Sequence, residues 1–390
     1  MRNYRLGYAG GFLVSLVFFW MTGSLFLLLF CAMLLLLPVF LLLLLKLESR
    51  GIAVEWECRP ACRIGQQFTV RFLASHKTPV IAAGMVKIAL KDHNVLLDEE
   101  RQRQITLSLS KRQVQFDLTL DAEKCGEVHL ICESMVLYDI FGLCRVPIKT
   151  PGEKMVTVYP EELPLQLFPG KMSRGMLEGE QVSQTRKGSD QSEVFDLREY
   201  YPGDDVRSIH WKLSSKMDTM MVREASDTSR FDTMVLFDAG LRTGEQVWDR
   251  QLLSDCVRLG MTVSLRLEHL SISHCVAMLA GGALQMFQVS DYAQHERMVN
   301  IWMGLSLQQE SGTGLRYWQV HARQYHFTKI LYVTIGNCPD DVFRLPEGTD
   351  MTAICLQEHG DEITMTEKGM CHVINLPVSM IRENVLSINF

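Results

Sequence analysis

From Leu6 to Leu45 the chain runs forty residues without one Asp, Glu, Lys, Arg or His. A stretch of that length constrains the fold more than any other feature. A helix needs about 20 apolar residues to cross the hydrocarbon core of a bilayer, so forty are enough for two crossings. Thr22-Gly23-Ser24 is the natural break. The expected spans are about 6–21 and about 25–45, with Pro38 inside the second, where a kink is tolerated. A cleaved signal peptide fits poorly, because its apolar region normally ends after 7–15 residues.

Charge sets the expected direction. Arg2 and Arg5 precede the first span, Lys46 and Arg50 follow the second, and the turn between them carries none. The positive-inside rule then places both ends, and the soluble part, in the cytoplasm. The whole chain has 390 residues, 47% of them hydrophobic, with net charge −6. That hydrophobic content disfavours a disordered scaffold, and the negative balance disfavours a nucleic-acid binder. Eleven scattered cysteines, an odd number, do not form a disulfide framework. Cys58, Cys62, Cys125 and Cys132 lack the spacing of common zinc modules, so buried free thiols are the better reading.

Residues 51–165 read as a β-sandwich domain. Segments such as Gln67–Leu73, Val86–Leu90, Gln104–Leu109, Val114–Leu120 and Glu127–Cys132 alternate apolar and polar positions, which buries one face and wets the other. Strands at this spacing without helices between them suggest an antiparallel sandwich of Ig-like size. Residues 231–390 alternate strand and helix instead. Thr233–Asp238 is a buried strand ending in an acid. Helical spacing follows over Gln246–Glu268, Asp291–Leu305 and Tyr317–Tyr325, and further strands over Ser273–Leu279, Ala283–Val289, Lys329–Ile335, Met351–Leu356 and Cys371–Leu376. That order predicts a mostly parallel, Rossmann-like α/β sheet, whose ligands sit at strand carboxyl ends; Asp238 occupies such a position.

Between the two domains, residues 166–230 form a charged segment. Within Arg186–Arg230, 17 of 45 residues are charged, 8 basic and 9 acidic, a composition that suggests mutual pairing rather than a patch of one sign. Its centre reads Phe195-Asp-Leu-Arg198-Glu199-Tyr200-Tyr-Pro202-Gly203-Asp204-Asp205-Val-Arg207-Ser-Ile-His210-Trp211-Lys212. Pro202-Gly203 is a turn signal, and Asp204 and Asp205 can cap backbone N–H groups after it. Arg198 and Arg207 can each grip a carboxylate with two bonds, and Glu199, Asp204 and Asp205 are near acceptors. Three readings stay open: a structural clamp of ion pairs, a docking surface in which Arg and Trp act as anchors, and an active site in which Asp204 or Asp205 works with His210. No nucleophile or metal triad accompanies them.

This segment, with Asp190 ahead of it, resembles the signature of the domain-of-unknown-function-58 family. Tyr138-Asp139-Ile140-Phe141-Gly142-Leu143 resembles that family's turn closing its β domain, with Ile140 where the family has proline. Val158-Tyr159-Pro160 resembles the strand after it, and paired amino-terminal membrane helices also fit. The resemblance implies a prokaryotic membrane-anchored protein with a von Willebrand factor type A-like α/β domain. It also implies a non-enzymatic interaction or assembly role beside a MoxR-type AAA ATPase and neighbouring membrane proteins. No cofactor, resident metal, nucleic acid or small-molecule substrate comes with it; a membrane-bound hydrolase using Asp204, Asp205 and His210 is the alternative. Metal-binding type A domains carry Asp-x-Ser-x-Ser after the first strand, whereas this chain has Asp238-Ala-Gly-Leu-Arg242. Both hydroxyl positions are lost, so Asp238 is expected to be a degenerate metal position that caps a following turn or pairs with Arg242.

Overall fold

The computed structural model describes residues 2–76, 81–109, 112–168, 194–199, 214, 221–225, 232–243, 245–280, 282–307, 310–321, 327–343, 345, 348–368, 370–383 and 386–389. Two helices open the chain, α1 (Arg2–Thr22) and α2 (Leu25–Glu48). Both are long and apolar enough to cross a membrane, with mean hydropathy 1.2 and 3.1. Gly23, at φ 62, makes the reversal between them, in the left-handed region that glycine enters without penalty. Tyr8 donates to the Leu34 carbonyl, and Ser15 meets Cys31, joining the two helices side by side.

Next comes a β domain of β1 (Ile52–Cys58), β2 (Ala61–Arg63), β3 (Gln67–His76), β4 (Ala83–Asn94), β5 (Glu99–Ser108), β6 (Gln113–Asp121), β7 (Gly126–Asp139), β8 (Arg145–Ile148) and β9 (Glu153–Tyr159). One sheet has the order β1-β3-β6 and the other β2-β9-β7-β4-β5, with β8 paired to β7. Alternate residues of both sheets (Trp56, Val70 and Phe72 from one, Ile88, Leu107, Leu130 and Val156 from the other) meet in one core. Leu41 and Leu45 of α2 belong to that same core. The apolar helix therefore does not stop at the β domain but packs into it. At its end, the Glu48 carboxylate accepts from the backbone N–H groups of Ile81, Ala82 and Ala83 at 2.7–3.2 Å.

After β10 (Leu165–Phe168) and the antiparallel pair β11 (Val194–Glu199) and β12 (Met221–Ala225), an α/β body follows. Its elements are β13 (Thr233–Phe237), β14 (Arg242–Thr243), β15 (Gln246–Val247), α3 (Arg250–His269), β16 (His274–Ala280), β17 (Ala283–Val289), α4 (Tyr292–Met303), α5 (Thr313–His321), β18 (Lys329–Ile335), β19 (Asp350–Gln357), β20 (Thr364–Lys368), β21 (Cys371–Pro377), α6 (Val378–Glu383) and β22 (Leu386–Asn389). The sheet order is β17-β16-β13-β18-β19-β21-β20, its five central strands parallel and both edge strands antiparallel. β13 shows why it lies at the centre. Val235 and Phe237 face the layer holding α3 and α4, while Met234 and Leu236 face the layer holding α5. Gly260 lets α3 press onto β13, since a Cβ there would stand 2.9 Å from the Phe237 ring. Trp302 closes the same contact edge-on to Phe237, ring centroids 4.9 Å apart.

Strands β4 and β7 run well past the read segments Val86–Leu90 and Glu127–Cys132, and two helix starts in the α/β body also differ from the sequence pattern. The helical spacing predicts a start at Gln246, but Gln246–Val247 pairs with Arg242–Thr243 as a short ladder, and α3 begins only after the extended Asp249. The pattern also predicts a helix from Tyr317, whereas α5 begins at Thr313, for a reason described with Asp238 below.

The β domain and the α/β body share packing. Leu96 and Leu97, in the β4–β5 turn, are fully buried in the α/β core together with Cys125. Arg250 donates to the carbonyls of Leu97 and Asp98 at 3.1 and 3.0 Å, and the Leu307 N–H to that of Leu96 at 3.0 Å. Cys125 N–H donates to Ser254 Oγ at 3.1 Å. Leu97→Ala is therefore expected to destabilise the full-length chain by about 2–5 kcal/mol, the range for emptying a buried leucine site. Thermal unfolding in detergent measures this; an unchanged melting temperature would mean that the turn does not hold the two bodies together.

Candidate functional site

Asp238 follows β13 directly and is fully buried. Its backbone is pinned on both sides: its N–H donates to Val333 O at 2.9 Å, and its carbonyl accepts from Thr334 Oγ1 at 2.8 Å. Its carboxylate accepts from Gly314 N–H at 3.0 Å, Leu315 N–H at 2.8 Å and the Tyr332 hydroxyl at 3.1 Å. Gly314 and Leu315 open α5, so the carboxylate sits on the positive end of that helix. This tertiary partner sets the start of α5. Burial raises the Asp238 carboxyl above the ordinary carboxylate range, while the Leu315 and Gly314 N–H groups and the Tyr332 hydroxyl pull the other way.

Asp238 thus does cap, though the partner is a helix some seventy-five residues on rather than the following turn. It does not pair with Arg242, which is exposed and whose carbonyl accepts from Ser311 N–H at 2.8 Å. Ser311 Oγ also accepts from Gly240 N–H at 2.9 Å. The position is tightly filled: a methyl group on Gly314 would stand 3.0 Å from the Asp238 carboxyl. Among the described residues, no group of three or more His, Cys, Asp or Glu side chains is placed to hold a metal ion. The eleven cysteines, all described, carry free thiols, and Cys62, Cys125 and Cys132 are buried.

Of the signature segment, the structure gives the flanks. Phe195, Arg198 and Glu199 lie on β11, with Arg198 opposite Val222 and Glu199 opposite Met221 on β12; Phe195 falls at a register shift in that ladder. The ladder brings the two ends of residues 200–220 together. Asp190, Tyr200, Pro202, Gly203, Asp204, Asp205, Arg207, His210, Trp211 and Lys212 lie outside the described residues.

A second polar cluster carries no sequence motif. Ser264 on α3, His274 at the start of β16 and His295 on α4 are all buried. His274 Nδ1 lies 2.9 Å from Ile272 O, so it donates there, and Nε2 accepts from Ser264 Oγ at 2.7 Å. Ser264 Oγ in turn accepts from His295 Nδ1 at 3.2 Å. The chain is satisfied with both imidazoles neutral. Burial pushes His274 down to about 4 and, with the neighbouring His274 and His269, His295 also to about 4. His295 reaches a cavity of about 540 Å³ between the two bodies, lined also by Tyr159, Glu161, Glu162, Thr262 and Glu296.

Comparison with known proteins adds one assignment. Residues 196–246 match the model of the family described as "Protein of unknown function DUF58", a span running from the signature segment to the start of β15. The match supports the DUF58 family for this chain. No curated protein matches the sequence. Among solved structures, similarity is found to a cohesin module from a Clostridium perfringens family 33 glycoside hydrolase, at 8% identity over 28% of this chain and 96% of that one, TM-score 0.22. Spo0M, a sporulation control protein from Bacillus subtilis, shows 12% identity over 38% of this chain and 58% of that one, TM-score 0.19. A superoxide reductase (neelaredoxin) from Ignicoccus hospitalis shows 14% over 29% and 85%, TM-score 0.19. At these scores none of the three bears on fold or function.

Two outcomes are expected. Asp238→Asn turns one acceptor oxygen into a donor facing buried donors, which should cost about 1–3 kcal/mol. The unsubstituted chain should melt at the same temperature with or without added magnesium or calcium, since only a bound cation would raise it; a cation-dependent rise would overturn the capping assignment. The histidines give a pH signature. Their folded-state values lie below the unfolded value near 6.5, so their contribution is fully present above that pH and is lost as pH falls through about 4. Taken singly, each is worth roughly 3 kcal/mol. Asp238, raised in the folded state, acts in the opposite sense, favouring the fold at low pH and losing that contribution as pH rises. Unfolding free energy of His274→Gln against the parent, followed from pH 7 to 4, should show a flatter profile in the variant; parallel profiles would count against a neutral buried imidazole.

Proposed function

We propose that the chain is a non-enzymatic, membrane-anchored interaction and assembly protein that works with a MoxR-type AAA ATPase. Its β domain is Ig-like and spaces a von Willebrand factor type A-like α/β body from the bilayer. The positive-inside rule, applied to Arg2, Arg5, Lys46 and Arg50, puts both soluble parts in the cytoplasm. The doubly wound order of the α/β sheet supports the type A-like reading, with Asp238 at the carboxyl end of its central first strand.

The observation that carries the reading is the filling of that strand end. Where a metal-binding type A domain would seat a cation, the Asp238 carboxylate is taken up by Gly314, Leu315 and Tyr332. A hard cation needs several oxygen ligands, and a small-molecule site needs open concave space. Among the described residues no such ligand group stands beside Asp238, which favours recognition of a partner by surface. The signature segment, whose composition combines Arg198, Arg207 and Trp211 with nearly balanced charges, has residue types suited to such recognition.

Affinity purification of the tagged full-length chain from its own membranes, with ATP, with a non-hydrolysable analogue and without nucleotide, tests this. An AAA ATPase identified by mass spectrometry, its recovery changing with nucleotide, is the expected result. Recovery of the chain alone under all three conditions would overturn the proposal.

A further inference from the structure

α2 is uncharged from Leu25 to Leu45. At 1.5 Å per residue that is about 31 Å, close to the thickness of a bilayer's hydrocarbon core. The β domain does not wait for this stretch to end. Cys144 Sγ donates to the Pro38 carbonyl at 3.3 Å, and Leu41, Leu45 and Glu48 are all buried against the domain. The β domain therefore flanks roughly the last 10 Å of the apolar helix. On its uncovered sides Leu42, Leu43 and Leu47 remain exposed at the same height.

The part of the β domain at that height is built from two tied loops. The Glu48 carboxylate gathers the N–H groups of Ile81, Ala82 and Ala83. Ile140 N–H donates to Ala82 O at 2.9 Å, and Gly84 lies so near the Ile140 backbone that a Cβ would stand 2.8 Å from its Cα. The buried Asp139 then holds the far side of the turn by accepting from Cys144 N–H at 3.2 Å. So braced, the loops display Ile81, Ile140 and Phe141 at 68%, 59% and 58% exposure. Three large apolar side chains exposed on two braced loops, tied by Glu48 and Cys144 to the end of an apolar helix that itself exposes leucines, are a feature that water-facing surfaces avoid.

We propose that the β7–β8 turn is a third membrane contact: Ile140 and Phe141, with Ile81, enter the interfacial layer of the leaflet in which α1 begins and α2 ends. Amphipathic elements of this kind bury their apolar residues about 5–10 Å into the headgroup and acyl boundary. The contact adds a second restraint on the tilt of the soluble part relative to the bilayer, beside the packing of α2 into the β core. It rests on the reading that α1 and α2 span a bilayer, and the test separates the two.

An environment-sensitive fluorescent amino acid is placed singly at Phe141, at Leu29 within α2, and at Val320 on the α/β body, in the full-length chain reconstituted into phosphatidylcholine–phosphatidylglycerol vesicles. Lipids brominated near the headgroup or deep in the acyl chain serve as quenchers. The expected result is about a twofold loss of emission at position 141 with the shallow bromines and less with the deep ones. Position 29 should respond to deep bromines and position 320 to neither. Quenching at 29 without quenching at 141 overturns the third contact and leaves the spanning helices intact. A blue-shifted but unquenched label at 141 also overturns it, assigning the patch to a second copy or another protein. No quenching at 29 overturns the spanning reading itself.

Discussion

The attachment of the soluble part depends on one carboxylate. Glu48 ends α2 and accepts from three successive backbone N–H groups of a loop some thirty residues later. Charge-assisted bonds to a buried acceptor are about twice as strong as neutral ones, and leaving either side unpaired there is costly. With Leu41 and Leu45 already in the β core, this makes the end of a helix long and apolar enough to cross a membrane a structural element of the β domain. An ordinary tether would let the domain drift; a helix whose last two turns are packed into the domain's core does not.

The same device recurs at the next junction. Leu96 and Leu97 stand in a turn of the β domain yet are buried in the core of the α/β body, while Arg250 returns the grip by holding the carbonyls of Leu97 and Asp98. Each body thus contributes side chains to the interior of its neighbour. Packing thus runs without a break from the α/β body through the β domain to the end of α2.

Elements governed by local periodicity were legible in the sequence. The alternation through Gln67–Leu73 and Val114–Leu120 marked β3 and β6, and Asp291 announced α4, where its side chain accepts from Gln294 N–H at 2.8 Å. What escaped was set by distant partners. Ser311, Gly312 and Thr313 are only general helix-start residues, and the carboxylate that takes up the first N–H groups of α5 comes from Asp238, far away in sequence. Leu96-Leu97 looks like an ordinary turn until the core it fills is present. Glu48 reads as the polar end of a span, since its partners are backbone groups that any sequence would supply. Asp238 could be singled out by its place after a buried strand. Ser264, His274 and His295 could not, because no fixed spacing links a helix, a strand and a second helix.

The short parallel pairing of β10 with β22 ties Leu165–Phe168 to Leu386–Asn389, while Arg266 of α3 donates to the Leu165 carbonyl at 2.9 Å. The chain has therefore joined the α/β body before the signature segment begins, and it re-enters that body at β13 when the segment is done. Both stems of the signature segment are thus planted in one body, and β11 pairs with β12 between them. Closing chain between two fixed stems costs entropy that grows only with the logarithm of its length, so holding the ends at β10 and β13 sets most of that cost whatever lies between them.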